Sequence, residues 1–269
     1  EGKVADQIWD KMVAFANYGF PESHSVSFAH LVYASSWIKY HFPAAFCAAL
    51  LNSQPMGFYS PHSLAQDARR HGVKVLTPDL NASADQAILE SCDKSVDGVA
   101  VRLGFSSVRG IGADLAFEIA AAGPYEDLEQ LSRRTNASRK QLEALATAGA
   151  FGCFGFARRE ALWAVGAVAE SRSDRLRGIV TGVSAPSLPG MSSREEAVSD
   201  LWATGIAPDG HPTRFVREVL KRRGVVTASD LSNCEFRKVK VAGVVTHRQR
   251  PATASGTVFV NLEDETGLI

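Results

Sequence analysis

Residues Lys238 to Gly267 read KVKVAGVVTHRQRPATASGTVFVNLEDETG, and they decide what kind of fold the chain ends in. Two β-rich runs flank a loop that carries Arg248, Arg250 and Pro251 and closes on Gly256. The first run, Val239 to Val245, is mostly Val, Ala and Gly. The second, Thr257 to Glu263, alternates, with Val258, Val260 and Leu262 on one side and Thr257, Phe259 and Asn261 on the other. Successive side chains point to opposite faces of a strand. With Val258, Val260 and Leu262 inward, Phe259 faces outward; with Val239, Val241 and Val245 inward, so do Lys238 and Lys240. From Arg237 to Leu262 there are five Lys or Arg and no Asp or Glu. An exposed ring near two lysines, with Arg248 and Arg250 on the adjoining loop, suits a phosphate backbone with a base stacked beside it.

A strand, a long basic loop and a strand ending in an Asp-Glu-Thr-Gly turn is how an oligonucleotide-binding (OB) barrel opens. Such a barrel needs about five strands, so residues 236–269 are expected to form a truncated one. Glu1 is not a Met and a helical pattern is running by Val4, so the chain reads as a fragment of a longer protein. Its 269 residues suggest roughly two domains, at 45% hydrophobic and 22% charged content that is ordinary for a globular protein. No apolar run approaches the ~20 residues of a membrane span and no signal peptide is visible, so a cytoplasmic location is expected. Cys47, Cys92, Cys153 and Cys234 are too far apart for a metal pair and are expected to be buried free thiols. The net charge is zero, yet residues 171–269 hold fourteen Lys or Arg against eleven Asp or Glu. Local basic clusters therefore say more than the total.

The remaining pattern is that of an α+β multidomain chain. Val4, Ile8, Met12 and Phe15 repeat at helical spacing, and Gly19 ends that helix. A turn at Pro21-Glu22-Ser23-His24-Ser25 precedes a second helix with Phe28, Leu31, Val32 and Ile38 inward; Trp9, Phe15, Phe42 and Phe46 are expected in the core. Pro43 opens a third helix and Ser60-Pro61 a fourth, closed by Gly72. Short strands are expected at Lys74 to Leu76, Ala87 to Leu89 and Ala100 to Leu103. The predicted organisation is a mainly helical region with a small α+β unit over 1–104, a helical DNA-binding region over 105–170, a Ser-, Gly- and Pro-rich linker over 171–196, a helical connector over 197–235 broken at Gly210-His211-Pro212, and the partial barrel.

Phe105, Val108, Gly110, Ile111, Gly112 and Ala116 carry a helix-hairpin-helix signature. Two glycines around one apolar residue permit a tight hairpin whose amides point outward at a helix N-terminus. Such amides bind a phosphate oxygen without reading sequence. A weaker second copy runs from Leu142 through Ala148-Gly149-Ala150-Phe151 to the helix at Arg158, with Ala in place of a glycine. The plainer explanation of either is a packing corner with glycine caps.

The run Tyr18-Gly-Phe-Pro-Glu-Ser-His-Ser-Val-Ser-Phe-Ala29 followed by Ile38-Lys-Tyr-His-Phe-Pro-Ala-Ala-Phe46 resembles the fingers of the bacterial C-family DNA polymerases, the polymerase III alpha subunit family. Phe58-Tyr-Ser-Pro61, Gln66-Asp-Ala-Arg-Arg-His-Gly72, Pro78-Asp-Leu-Asn81, Leu188-Pro-Gly-Met191, Asp209-Gly-His-Pro212 and His247-Arg-Gln-Arg-Pro251 look like its damage-inducible, error-prone branch. The resemblance spans nearly the whole chain in family order. It implies late fingers, tandem helix-hairpin-helix and the start of an OB domain. It also implies DNA and deoxynucleoside triphosphates as ligands of the parent protein, Mg²⁺ for its chemistry, and translesion accessory proteins that reach the sliding clamp. The family's metal-binding aspartates sit in a palm domain expected upstream of Glu1, so no catalytic or metal-binding residue is assigned here.

Ser23, His24 and Ser25, with Lys39, are the candidates for contact with an incoming nucleotide, since hydroxyls and a His at a helix N-terminus suit phosphate. Capping by a serine explains them equally well. Gly110, Ile111, Gly112, Lys238, Lys240, Arg248, Arg250 and Phe259 are the DNA-binding candidates. Arg214, Arg217 and Lys221 fall at i, i+3 and i+7 on one predicted helical face as a further DNA contact. Glu263-Asp264-Glu265 is expected to be a solvated turn rather than a metal site. Two other function classes fit parts of the pattern: a stand-alone DNA-binding or repair-accessory protein, and a protein-docking scaffold.

Overall fold

Helices begin where the sequence supplies a cap. In the computed structural model, which describes residues 2–16, 22–57, 59–169, 182–234, 238–251, 253 and 255–269, Ser60 accepts the Ser63 N–H at 3.1 Å and Pro61 occupies the first position of its helix. The expectations placed on residues 17–21, 58, 170–181, 235–237, 252 and 254 lie outside the described residues.

The chain divides into two compact units, residues 1–43 and 44–269. The first holds α1 (Gly2–Ala16) and α2 (Glu22–His41). The turn expected at 21–25 is not what forms over its last residues: α2 already begins at Glu22, so Ser23, His24 and Ser25 form its first turn. Nor are the apolar residues of this unit inward. Trp9, Phe28, Leu31, Val32, Ile38 and Phe42 are all exposed, and so are Val4, Ile8 and Met12. Two helices in 43 residues have too little volume to enclose a core.

The second unit opens with α3 (Pro43–Asn52) and α4 (Pro61–Arg70) against a three-stranded sheet. Its strands are β1 (Val75–Leu76), β2 (Ile88–Ser91) and β3 (Val99–Arg102), in the order β1-β3-β2, with β1 parallel and β2 antiparallel to the central β3. Asn52 ties α3 to the sheet by donating to the Ala87 carbonyl and accepting its N–H, both at 2.8 Å. This is the small α+β unit the sequence predicts. At Gly104 a Cβ would stand 2.3 Å from the Gln86 carbonyl carbon, so the chain crosses there as only glycine allows.

Next comes a helical bundle of α5 (Ala113–Ala122), α6 (Leu128–Arg134), α7 (Arg139–Ala148), α8 (Arg158–Val168) and α9 (Ser193–Thr204). Phe105, Ile119, Leu131, Leu142, Leu145, Phe151 and Val165 are fully buried at its centre. Leu80 joins that core, and its N–H donates to the Ala150 carbonyl at 2.8 Å, which fastens the bundle to the α+β unit. After a 3-10 turn over Pro212–Val216 come α10 (Arg217–Arg222) and four short strands: β4 (Val225–Val226), β5 (Lys240–Val241), β6 (Val244–Gln249) and β7 (Phe259–Glu263). They form two small sheets, β4-β5 parallel and β6-β7 antiparallel. The first β-run is thus two strands, parted at Ala242-Gly243, where a Cβ on Gly243 would lie 2.7 Å from the Glu263 carbonyl oxygen.

Of the thiols, only Cys47 is buried; Cys92 and Cys234 are half-buried and Cys153 is exposed. No helix among the described residues is long and apolar enough to cross a membrane.

Candidate nucleic-acid interface

The first hairpin is short and open. One 3-10 turn (Phe105–Ser107) replaces the apolar helix end expected before it. Val108 closes the turn by accepting the Ile111 N–H at 3.0 Å, and Gly110 takes a φ of 77°, a conformation natural to glycine. Gly112 is the N-cap of α5 in extended geometry, with no side chain capping the helix. A Cβ built at Gly110 or Gly112 meets nothing within 4 Å, and Gly110, Gly112, Ala113 and Asp114 are all exposed. Ile111 does not face outward with them: it is buried in the bundle core and anchors the loop.

Three contacts invisible in the local sequence hold the hairpin. Gln141 donates from Nε2 to the Gly110 carbonyl at 2.9 Å while its Oε1 caps Ser138 at the start of α7. The Arg109 N–H donates to the Ala203 carbonyl at 2.7 Å, and the Arg109 guanidinium lies over the Trp202 ring at 4.9 Å. Arg109 is exposed beside Gly110 and adds a cation to this edge, whereas Asp114 in the first turn of α5 adds an anion. Arg109 sits next to the glycines and could have been noticed; Trp202 and Gln141 arrive from 93 and 31 residues away.

The second copy is closed. Gly149 ends α7 with a φ of 82°, and a Cβ there would press on Arg158 Nε at 3.2 Å. Arg158 donates to the Thr147 carbonyl, the Glu196 carbonyl and Asp200, the last at 2.6 Å. The amide at the start of α8 is taken by Glu160, whose carboxylate accepts the Ala157 N–H at 2.9 Å. Arg159 reaches the Pro189 carbonyl and Glu195, so the segment Leu188–Met191 lies across the helix start over a cavity of about 250 Å³. Asp200 is buried, and burial pushes its carboxyl up to about 6 despite Arg158 beside it.

The acidic trio departs from expectation. Glu263 and Asp264 are 0% exposed and Glu265 is half-buried, so this is no solvated turn. Glu263 accepts from Ser63 at 2.9 Å and from Arg70 at 3.0 Å. Asp264 accepts from Arg217 and from the Ala228, Thr266 and Gly267 N–H groups. Glu265 accepts from Arg217 and from the Thr213 hydroxyl. Burial alone would raise Glu265; the hydrogen bonds from Arg217 and Thr213 overcome it and hold its carboxyl at about 2. These contacts clamp the end of β7 to α4 and to the connector, and burial requires each carboxylate to be paired.

The trio does not fit a Mg²⁺ ion, because its oxygens already accept from the chain's own cations and amides. His62 and His211, with rings 5.7 Å apart, stand beside the clamp. His62 Nδ1 accepts the Ala207 N–H, which leaves the ring proton on Nε2, the nitrogen a metal would need. Among the described residues no group of three or more His, Cys, Asp or Glu could hold a metal.

Arg217 is therefore committed to carboxylates, which removes it from the expected DNA-contact face. The face itself is not one helix: Arg214 lies in the 3-10 turn, Val216 breaks the geometry, and α10 starts at Arg217. Arg214 and Lys221 are exposed.

Lys238, Lys240, Arg248, Arg250 and Phe259 are all exposed, but they do not form one group. Lys240 belongs to the β4-β5 sheet. Arg248 lies inside β6, not on the loop, and pairs with Val260, whereas Phe259 pairs with Gln249. Directly opposed residues share a face, so Arg248 and Phe259 lie on opposite faces. In the first unit, His24 sets its ring against Phe28 at 5.5 Å and Lys39 lies in the last turn of α2; the Ser23 side chain is outside the described residues.

Comparison with known proteins places this geometry. A family model described as helix-hairpin-helix motif matches residues 72–161. Proteins named error-prone DNA polymerase align along the chain: that of Mycolicibacterium paratuberculosis is 56% identical over 99% of this chain, and that of Nocardia farcinica 53% identical over 100%. The Corynebacterium glutamicum protein of the same name is 48% identical over 100% of the chain. The chain belongs to the error-prone DNA polymerase family. It spans 24% of the length of the first two relatives and 25% of the third.

Proposed function

We propose that this chain is the DNA-holding part of a bacterial error-prone DNA polymerase, gripping the duplex backbone at the hairpin and single strand at the start of an OB barrel formed from β5 onward. Catalysis, with its Mg²⁺ and the deoxynucleoside triphosphates, belongs to other parts of the polypeptide; accessory proteins link it to the sliding clamp. Ser23, His24, Ser25 and Lys39 at the two ends of α2 support the nucleotide, and Arg214 and Lys221 add phosphate contacts between the hairpin and the barrel.

The observation that carries this proposal is the start of α5. Its first turn follows a positive-φ glycine, has no side-chain cap and begins on the exposed residues Gly112, Ala113 and Asp114, which is the arrangement an N-terminal phosphate site needs. The ring of Phe259 and the arginines of β6 and its loop support the single-strand half. The test is duplex binding by the full-length protein with Gly110 and Gly112 both replaced by bulkier residues. Binding should weaken equally across sequences, and unchanged affinity in the folded double variant would leave the hairpin as a packing corner. Alone, the 269-residue chain should extend no primer with Mg²⁺ and nucleotides. Template-dependent extension by a pure preparation would contradict the assignment of catalysis elsewhere.

A further inference from the structure

The β6-β7 hairpin presents two unlike faces. Val245 opposes Leu262 and Arg248 opposes Val260, which puts three aliphatic side chains and one cation on one face. His247 opposes Asn261 and Gln249 opposes Phe259, so these four lie together on the other. Register shifts between Val245 and His247, and that bulge turns His247 onto the second face. At its far end this face continues to Glu263, buried against Ser63 and Arg70 of α4.

A third ring arrives from the other side of the molecule. Tyr59, just ahead of α4, sets its ring edge-on to His247 with centroids 6.2 Å apart and planes at 78°. The clamp that fixes Glu263 on α4 is what brings these distant segments together. Tyr59 and Phe259 are each 54% exposed. Phe259 stands diagonal to His247, two residues along from its partner Asn261, a separation of roughly 7–8 Å for such pairs. Three rings thus follow one another, Tyr59, His247, Phe259, with the amides of Gln249 and Asn261 between them.

We infer that Tyr59, His247 and Phe259 form a stacking platform for successive bases of single-stranded nucleic acid. The inference rests on the proposed single-strand role of this end of the chain and names the residues that carry it. Three features favour a nucleic acid over a protein. The rings come from a loop and two paired strands and succeed one another across the hairpin face rather than gathering into a pocket. The amides offer both donors and acceptors to base edges. From Lys238 to Leu262 every charged residue is basic, and exposed Arg250 just beyond β6 is placed to meet the phosphates, whereas Arg248 lies on the opposite face. Stacking is sequence-tolerant because every base has a π-face, which suits a strand of any sequence.

The test uses the full-length protein and a labelled oligo-dT, with a blunt duplex as control and the melting temperature as a check on folding. Tyr59→Ala should weaken oligo-dT binding roughly five- to a hundredfold, the range of one lost base stack. Tyr59→Phe should restore it, and duplex affinity should not change. An oligonucleotide carrying 5-iododeoxyuridine should photocrosslink to Tyr59, His247 or Phe259. Unaltered oligo-dT affinity in a folded Tyr59→Ala protein, with crosslinks elsewhere, would overturn the platform while leaving the DNA-holding role intact. Equal weakening of oligo-dT and duplex would make Tyr59 a structural support and overturn it too. Absence of any oligo-dT binding by the unaltered protein would remove the platform and the single-strand role together.

Discussion

Neither α5 nor α8 has a side chain capping its first-turn amides, but the start of α5 after Gly112 is exposed, whereas the start of α8 after Ala157 is crossed by residues 188–191. Both follow a glycine with positive φ, Gly110 in one and Gly149 in the other. What differs is the residue beyond: nothing confronts a Cβ at Gly110, but Arg158 fills the place in front of Gly149. The first hairpin is the one proposed above to meet DNA. The other spends its own cations on Asp200, on Glu195 and on backbone carbonyls, which ties it into the bundle. Duplicated motifs can divide labour in this way, and the residue that divides them is a single arginine.

The sharpest way to break the comparison is Arg158→Ala. It strands Asp200, whose side chain is 7% exposed, without its cation. Breaking a buried pair by removing one partner costs about 3–5 kcal/mol, so a large fall in melting temperature is expected. Duplex affinity of the remaining folded molecules should be unchanged. If Arg158→Ala instead lowers duplex affinity with little loss of stability, the closed hairpin is a DNA contact and the division of labour fails.

Acid should separate the regions next, because hairpin amides do not titrate and the clamp does. Burial, then His211 and the nearby arginines, hold His62 down at about 4 from its ordinary 6.5. A base with a lowered folded value resists protonation, so its contribution is present above 6.5 and is lost as pH falls from there toward 4. Glu265, held at about 2, adds a contribution present above its ordinary 4.5 and lost as pH falls to 2. Both act in the same direction. His62→Gln should remove the upper part of the slope, up to about 3 kcal/mol. An unchanged pH-stability profile in that variant would show that His62 is free to protonate in the fold.

How much of this could be read beforehand follows the range of the interactions. The Gly110-Ile111-Gly112 hairpin and the Ser60-Pro61 helix start are local patterns and were legible; the alternation of Phe259 with Val260 and Leu262 was too, but not its inward side, since Val239, Val245, Val258 and Val260 are exposed. Glu263-Asp264-Glu265 was not, because its burial depends on Ser63 and Arg70 about two hundred residues earlier and on Arg217 about fifty residues earlier. Arg217 was misplaced for the same reason: helical spacing assigns a residue to a face without saying what that face meets. The exposed apolar residues of α1 and α2 carry the converse lesson, since periodicity finds an apolar stripe but does not supply its cover.

Gly112→Asp tests the open hairpin without disturbing the fold. Gly112 has a φ of −78° and free space at its Cβ, so any residue fits there. Asp is the better N-cap by a few tenths of a kcal/mol, so stability should hold or rise slightly. Its carboxylate would occupy the amides and repel a phosphate, removing hydrogen bonds to a charged group worth about 1.5–3 kcal/mol. Duplex affinity should fall roughly ten- to a hundredfold. The same change at Ala157, where residues 188–191 cross the helix start, should leave duplex affinity alone. Equal affinity loss at both positions would erase the distinction between the hairpins.

The smallest expected effect lies at the β6-β7 hairpin, where Arg248 and Arg250 sit on a strand and just past it. Arg248 shares its face with Val260 and not with Phe259, so its charge and the stacking ring are separable by mutation. Replacing Arg248 and Arg250 together by Ala should leave the rings in place and reduce the salt dependence of single-strand binding. Each lost phosphate contact flattens the slope of log affinity against log salt by about 0.7 for a single strand, so the pair gives up to about 1.4. Gly112→Asp, acting on duplex, should leave that single-strand slope as it was. If the double Arg variant keeps the full slope while Phe259→Ala abolishes binding, the strand is held by stacking alone and the phosphates are met elsewhere, with exposed Lys238 and Lys240 as the next residues to replace.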